Sequence, residues 1–413
     1  MRTGILRAPT ALARMDRRDF LASATASTVG LAAAGCGAAG PAATPRASAA
    51  PGAPAAGRAR STDGEVVLSR LGETPGTRTQ PRIPRWRGFN LTELAWGNEG
   101  AALRESDFAW IAELGFDFVR IPMSYWTWAR PDDWMRIDAD ALARVDEAVE
   151  YGEKHGLHVN LNLHRIPGYC VNQRELEPHL LFDSPRAEME RAMEAALHHW
   201  RTLAERYRHT SPQAVSYDLF NEPPWTRADQ SRYVEVAHRL VGAIRDVDPD
   251  RLIVADGADI GQTPVPGVVG LGLVQSTRGY LPKMVSHYQT TWVPADEFES
   301  LAVPSWPMRD DGGRLWDRDA LRAELLAPWV ALADQGVPIH VGEWGCYNQT
   351  PHAACLGWMR DVTGLWREMG WGWALWNFRG PFGILDSGRA DVEYESFRGH
   401  QLDRAMTDLL LAS

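Results

Sequence analysis

From residue 87 onward, short runs rich in β-branched and aromatic residues alternate with stretches of helical periodicity, and eight such runs follow one another. The runs 87–91, 116–122, 157–164, 215–221, 251–256, 284–288, 337–343 and 373–378 read as strands, each closed by a polar or Gly/Pro-rich turn. Helical patterns fall at 105–114, 138–155, 186–207, 228–247, 318–335, 352–369 and 402–410, while the segment between the fifth and sixth runs has no clear helical pattern. Eight alternations over about 350 residues predict an α/β chain folded as a single (β/α)8 TIM barrel with extended βα loops, because an open doubly wound sheet rarely shows this count. No internal repeat and no second domain is visible.

A barrel of this kind gathers its chemistry at the C-terminal ends of the strands. The expected strand ends carry Arg120 in FVRIP, His164 in LNLHR, Asn221 and Glu222 in NEP, His287 and Tyr288 in SHYQ, Glu343 in HVGEWG and Trp376 in ALWNF. Two carboxylates on the fourth and seventh strands would face each other across the mouth. One protonated and one ionised carboxyl is what glycosidic cleavage needs: an acid for the leaving oxygen and a nucleophile for the anomeric carbon. Arg120 and a hydrogen bond from Tyr288 are expected to favour ionised Glu343, whose field then keeps Glu222 protonated. Asn221 stands where it can reach a sugar 2-hydroxyl, and Trp376 offers an apolar face to a pyranose ring.

Taken singly, each of these has an ordinary reading. Asn-Glu-Pro is a common strand exit, His164 a satisfied core histidine, Arg120 the partner of a structural acid and Trp376 core filling. Eight polar or aromatic groups at six strand ends in one order are hard to obtain from packing alone. The ordered set resembles glycoside hydrolase family 5, the cellulase family, over about residues 85–412. The resemblance implies a retaining O-glycosyl hydrolase, with Glu222 as acid/base and Glu343 as nucleophile. It also implies that Arg120, His164, Asn221, His287, Tyr288 and Trp376 bind substrate, and that no metal or other cofactor is needed. RGFNL at 87–91 is similar to the family's first strand, with Asn90 read as structural, and a non-proline cis peptide is implied at Trp376–Asn377.

The N-terminal part is of another kind. Residues 15–36 combine paired Arg17 and Arg18, Phe20-Leu21 and a weakly apolar run ending at Ala34-Gly35-Cys36. They resemble a twin-arginine export signal, with Cys36 a candidate lipid anchor and Met15 an alternative start. The run is shorter than the roughly 20 apolar residues of a spanning helix. Residues 37–60 are an Ala/Pro/Gly tether, so the expected organisation is signal 1–36, tether 37–60 and catalytic domain 61–413. An exported protein is expected, in the periplasm, on the cell surface or outside the cell, and as a monomer. The leader and tether carry +6 of charge and the remainder −16, within a total of −10. An acidic barrel argues against nucleic acid as a partner, since phosphate binding needs a basic stripe. Cys170, Cys346 and Cys355 permit either one disulfide or three buried thiols, and no C-x-x-C zinc spacing occurs.

Of the 18 tryptophans, Trp96, Trp126, Trp128, Trp225 and Trp292 fall in predicted loops after strands and are candidate sugar platforms, as Asp386 is a candidate polar contact. Trp110, Trp200, Trp329 and Trp366 fall in helices and read as packing. A β-1,4-glucan cleaved internally is the default substrate. Two other readings compete: a non-catalytic glycan-binding protein on the same fold, and a metal-dependent barrel hydrolase, which would open with His-x-His on a first strand that here reads RGFNL.

Overall fold

Eight parallel strands close on themselves in a computed structural model that describes residues 78–97, 100–172, 174–224, 229–293 and 302–413. They are β1 (Arg87–Asn90), β2 (Phe118–Ser124), β3 (His158–Ile166), β4 (Val215–Asp218), β5 (Leu252–Asp256), β6 (Val274–Gly279), β7 (Ile339–Trp344) and β8 (Gly372–Leu375). Each pairs with the next in chain order, and β8 returns to β1 through Arg87↔Trp373 and Phe89↔Leu375, so no edge is left open. This is the expected (β/α)8 barrel. The expected export signal with Cys36, the expected tether and Trp225 lie outside the described residues.

Seven helical segments were expected around it. The observed ones are α1 (Glu105–Glu113), α2 (Ala143–His155), α3 (Arg186–Tyr207), α4 (Ser231–Arg245), α5 (318–333), α6 (His352–Met369) and α7 (Arg404–Ala412). Helix α3 shows the rule they follow: Met189, Ala192, Met193, Ala196, Trp200, Leu203 and Ala204 recur at three- and four-residue intervals and are buried against the strands. Helix α5 comes in three pieces, Arg318–Leu321, a π-helical turn at Arg322–Leu326, and Ala327–Ala333. Pro328, which lacks an N–H and clashes with the preceding turn, accounts for the break.

One expectation fails between β5 and α5, and the segment with no clear helical pattern holds no long helix. The connection from β5 to β6 holds only the short turn Ala258–Gly261 and the 3-10 turn Pro266–Leu271. The sixth strand is Val274–Gly279, not 284–288. Met284–Ser286 belongs instead to the helical turn Lys283–Ser286, started by Pro282, whose carbonyl accepts from Val285 N at 3.0 Å. The true strand reads VQSTRG and lacks apolar alternation, because its polar side chains find partners inside the barrel wall. Gln275, for example, exchanges hydrogen bonds with both backbone groups of Val265 at 2.9 and 3.0 Å.

The floor of the barrel is aromatic. Trp86 stacks on His158 at 3.7 Å, and Phe118 lies 4.7 Å from His340. Burial pushes His158 down to about 4 and His340 to about 3, so both imidazoles pack as neutral rings. A closed floor leaves the opposite end as the open one, and there the polar side chains converge.

Candidate active site

Four carboxyls and two guanidinium groups meet above this floor. Arg120, on β2 and 1% exposed, donates from Nε to Asp218 Oδ2 at 3.0 Å, from Nη1 to Glu343 Oε1 at 2.5 Å and Asn90 Oδ1 at 3.1 Å, and from Nη2 to Asn221 Oδ1 at 2.9 Å. Asn90 in turn donates to Gly342 O at 3.0 Å, tying the first strand to the residue before Glu343. Its reading as structural is consistent with these contacts. Although burial opposes its charge, Asp218 and Glu343 keep the Arg120 cation firmly protonated.

Glu343 projects from an irregularity in β7, where the register to β6 slips between Val341 and Glu343. Such a bulge bends the strand and re-aims its side chain. The carboxylate accepts from Arg120, from Tyr280 OH at 3.4 Å and from Arg278 Nη2 at 3.5 Å. The phenol is that of Tyr280, not of Tyr288. Tyr280 stays a donor because burial, followed by the charges of Glu343 and Glu222, raises its titration well above the ordinary range.

Glu222 follows β4 in the left-handed region at φ 49°, where non-glycine residues are uncommon. Its backbone is held from two sides: its N–H donates to Asp256 Oδ2 at 2.8 Å, and its carbonyl accepts from Tyr169 OH. Its Oε1 accepts from Arg278 Nε at 2.9 Å. Burial first, and the charge of Glu343 second, push this carboxyl up to about 7, against the pull of Arg278. Asp218 is likewise raised to about 7, by burial and then by Asp256. Its side chain is 1% exposed against 12% for Glu222, so of these two raised carboxyls Glu222 is the one that opens to the mouth.

The other expected residues divide. Asn221 Oδ1 accepts from both Arg120 and Arg278, leaving its buried Nδ2 without a protein partner. His164 lies against Trp376, ring centroids 6.0 Å apart and 24° from parallel. Burial, then Arg120 and Arg278, holds its titration well below the ordinary range, so the imidazole is neutral. Trp376 is half-buried, and its peptide bond to Asn377 is cis, as the family resemblance implied. His287 and Tyr288 are not at a strand end. His287 packs edge-on to Tyr280 at 4.9 Å, with Ser286 Oγ 2.8 Å from its Nδ1, and burial lowers it to about 3. Tyr288 OH accepts from Gln289 Nε2 at 3.2 Å.

Sequence reasoning passed over Arg278, Tyr280, Asp256 and Asp218. Arg278 and Tyr280 are two residues apart at the end of β6, which puts both on the inward face. The alternation Ser276, Arg278, Tyr280 was the available signal. Among the platforms, Trp128 is buried and donates to His199 Nδ1 at 3.0 Å, so it is core. Trp126 lies under the Arg165 guanidinium at 3.8 Å, and Trp292 stacks on Phe382 at 6.1 Å. Trp96, Trp126 and Trp292 are half-buried. In the helices, Trp200, Trp329 and Trp366 are buried packing and Trp110 is half-buried. Cys170, Cys346 and Cys355 are buried free thiols. Asp386 pairs with Arg379 at 2.6 Å and with His400 at 2.8 Å, a network that continues through Arg379 to Asp107 of α1.

Known proteins resemble this chain across the same region. The family described as Cellulase (glycosyl hydrolase family 5) matches residues 75–380. Endoglucanase C of Acetivibrio thermocellus is 24% identical over 315 residues, covering 71% of this chain and 89% of that protein. Cellodextrinase A of Ruminococcus flavefaciens is 25% identical over 277 residues, covering 65% and 76%. A crystal structure of a glycoside hydrolase superposes with a TM-score of 0.73 at 37% identity, over 79% of this chain and 99% of that one. The chain belongs to glycosyl hydrolase family 5 and is a glycosyl hydrolase; the expected retaining β-glycosidase chemistry stands with that membership.

Proposed function

We propose that this family 5 enzyme is an exported, endo-acting β-1,4-glucanase in which Glu222 is the acid/base and Glu343 the nucleophile. The observation that carries the reading is that one guanidinium, Arg278, reaches both carboxyls while their surroundings differ. Glu343 accepts from a buried arginine and a phenol, whereas Glu222 keeps its proton to about pH 7. Two carboxyls sharing one guanidinium suit the roughly 5–5.5 Å separation of a retaining pair better than the wider gap that admits a water between them.

In the first step Glu343 forms a bond to the anomeric carbon as the glycosidic C–O bond breaks, and the proton of Glu222 passes to the leaving oxygen. In the second step Glu222 takes a proton from water as the oxygen of that water displaces Glu343, giving net retention. The open Nδ2 of Asn221 suits a sugar 2-hydroxyl, a hydrogen bond that strengthens as charge develops at the ring. Trp376 supplies a face for the sugar, with neutral His164 beside it. Arg120 positions Glu343. His287 and Tyr288, in the loop after β6, are proposed as contacts on the aglycone side.

The names endoglucanase and cellodextrinase borne by the relatives support a β-glucan, with the β-1,4 linkage the first to test. Paired Arg17 and Arg18 before an apolar run support twin-arginine export, and Ala34-Gly35-Cys36 supports a lipid anchor. On this reading 1–36 is the signal, 37–60 the tether and 61–413 the catalytic domain, working as a monomer. The test is hydrolysis of β-1,4-glucan, mannan, xyloglucan and β-1,3-glucan, with the anomer formed first followed by NMR. The β-anomer is expected, and Glu343→Gln should abolish turnover while retaining ligand binding. An α-anomer product overturns the retaining mechanism. Unchanged behaviour of Glu343→Gln favours a pure glycan binder.

A further inference from the structure

Arg278 is built into the site more thoroughly than any substrate contact requires. Its Nη1 donates to Asp256 Oδ1 at 2.9 Å and Ser276 Oγ at 3.1 Å. Its Nη2 donates to Asp256 Oδ2 and to Asn221 Oδ1 at 2.9 Å, and its Nε to Glu222 Oε1 at 2.9 Å. A guanidinium has five N–H groups, and these contacts, with Nη2 also reaching Glu343 Oε1 at the longer 3.5 Å, occupy them. No donor is left for a sugar, so whatever Arg278 does for the reaction it does through the groups it holds.

Two glycines make the space. A Cβ at Gly342 would come within 2.4 Å of Ser276 Oγ and 2.9 Å of Arg278 Nη1, and one at Gly261 would come within 2.7 Å of Arg278 Cγ. The residue before the nucleophile and the turn after β5 therefore both lack a side chain where this arginine runs. Asp256 is fixed in its turn, since its carbonyl accepts from Tyr233 OH at 2.5 Å and its carboxylate holds the Glu222 N–H. The same Asp256 carboxylate thus anchors the backbone of Glu222 and the cation that touches its side chain.

We propose that Arg278 is a positioning residue for Glu222: its Nε–H fixes the carboxyl in one orientation, and its charge governs when that carboxyl releases and takes back the proton of the glycosidic cycle. This rests on the acid/base reading of Glu222. The groups that face Glu222 are Arg278 and Tyr280 from β6, Glu343 from β7, Asp256 from β5, and Tyr169 and Cys170 beyond β3. Glu343 and Asp256 favour the protonated carboxyl, as burial does, while Arg278 is the cation in contact with it and opposes them. A charge within 4 Å typically moves a carboxyl by about 1–3 pH units.

The experiment compares the alkaline limb of kcat/KM on a β-1,4-glucan oligosaccharide with that on its 2,4-dinitrophenyl glycoside, whose leaving group needs no proton. Arg278→Gln removes the cation, and Arg278→Gln with Asp256→Asn removes the whole buried pair and keeps the site neutral where the single variant fails to fold. Arg278→Lys keeps the charge and loses the fork. For Arg278→Gln the limb on the oligosaccharide should move up by about 1–3 pH units, and for the double variant up by less, because Asp256→Asn also removes an anion that favours the protonated carboxyl. No matching shift should appear on the dinitrophenyl substrate, and the lysine variant should lose rate with the limb nearly in place. Equal losses on both substrates with an unmoved limb would show that Arg278 is merely structural and overturn the proposal. A wild-type protein that cleaves neither substrate overturns the β-1,4-glucanase reading on which the proposal rests, and does so before any substitution is made.

Discussion

Replacing Glu222 with glutamine should stabilise the protein at alkaline pH and not at acidic pH, and the size of the effect follows from the site. In the folded protein this carboxyl holds its proton to about 7, whereas its ordinary value is 4.5. Between those values the folded chain binds a proton that the unfolded chain has released, so unfolding free energy falls as pH rises through the window and levels off above it. At about 1.36 kcal/mol per pH unit the loss approaches about 3 kcal/mol by pH 8. Glutamine has nearly the shape of the protonated acid and no proton to lose. Glu222→Gln should therefore match wild type at pH 5 and exceed it by about 2–3 kcal/mol at pH 8. Asp218, also raised to about 7, gives both proteins the same additional slope, which cancels in the comparison. Urea unfolding of both proteins at pH 5 and pH 8, with m-values compared to check two-state behaviour, measures the difference. An advantage that is equal at the two pH values, or smaller at pH 8, refutes the reasoning.

Three further outcomes can be checked. Asn221→Ala should lower kcat/KM by about 10- to 100-fold, the worth of a hydrogen bond to a charged or developing-charge centre; steady-state rates on a 2-deoxy glycoside should show a clearly smaller loss, because Nδ2 then has no hydroxyl to meet. Tyr280→Phe should cost more in kcat than Tyr288→Phe, since the phenol on Glu343 belongs to Tyr280; equal losses would restore Tyr288 to the nucleophile. Cys170, Cys346 and Cys355 should resist a thiol reagent in the native protein and all react after unfolding, as expected of buried free thiols, and mass spectrometry of the labelled peptides reads this directly.

The strands that could be read from sequence were those with an apolar outward face. In β2 and β3, Val119, Ile121, Leu161 and Leu163 face the helices and make the pattern visible, even though Arg120, Asn160 and His164 interrupt it. Helices α3 and α6 have the bounds expected of them, because long amphipathic periods leave little choice. The residues Arg120, Asn221, Glu222 and Glu343 converge because they stand at strand ends of one barrel, and that inference needs only the strand count and the polar exits. No local pattern in the chain encodes which residues lie beside them in space.

At β6 the two kinds of information conflict. VQSTRG looks like a loop by composition, while MVSHYQ nearby has the apolar run and the His-Tyr pair that a strand end was expected to carry. The fold resolves the conflict through the needs of the site. A strand whose inward face must carry Ser276, Arg278 and Tyr280 cannot also alternate cleanly, and Gln275 and Thr277 make its other face polar too. Four carboxyls around one mouth require two buried cations, and Arg120 is only one of them. With Arg120 alone, Glu222, Glu343, Asp218 and Asp256 would share a single guanidinium, an arrangement whose desolvation cost a buried site does not tolerate. The missing cation had to come from a strand, and Arg278 was the arginine preceded by alternating small polar residues and followed two positions later by a phenol. The polarity that hid the sixth strand is thus the same polarity that makes the site electrostatically possible.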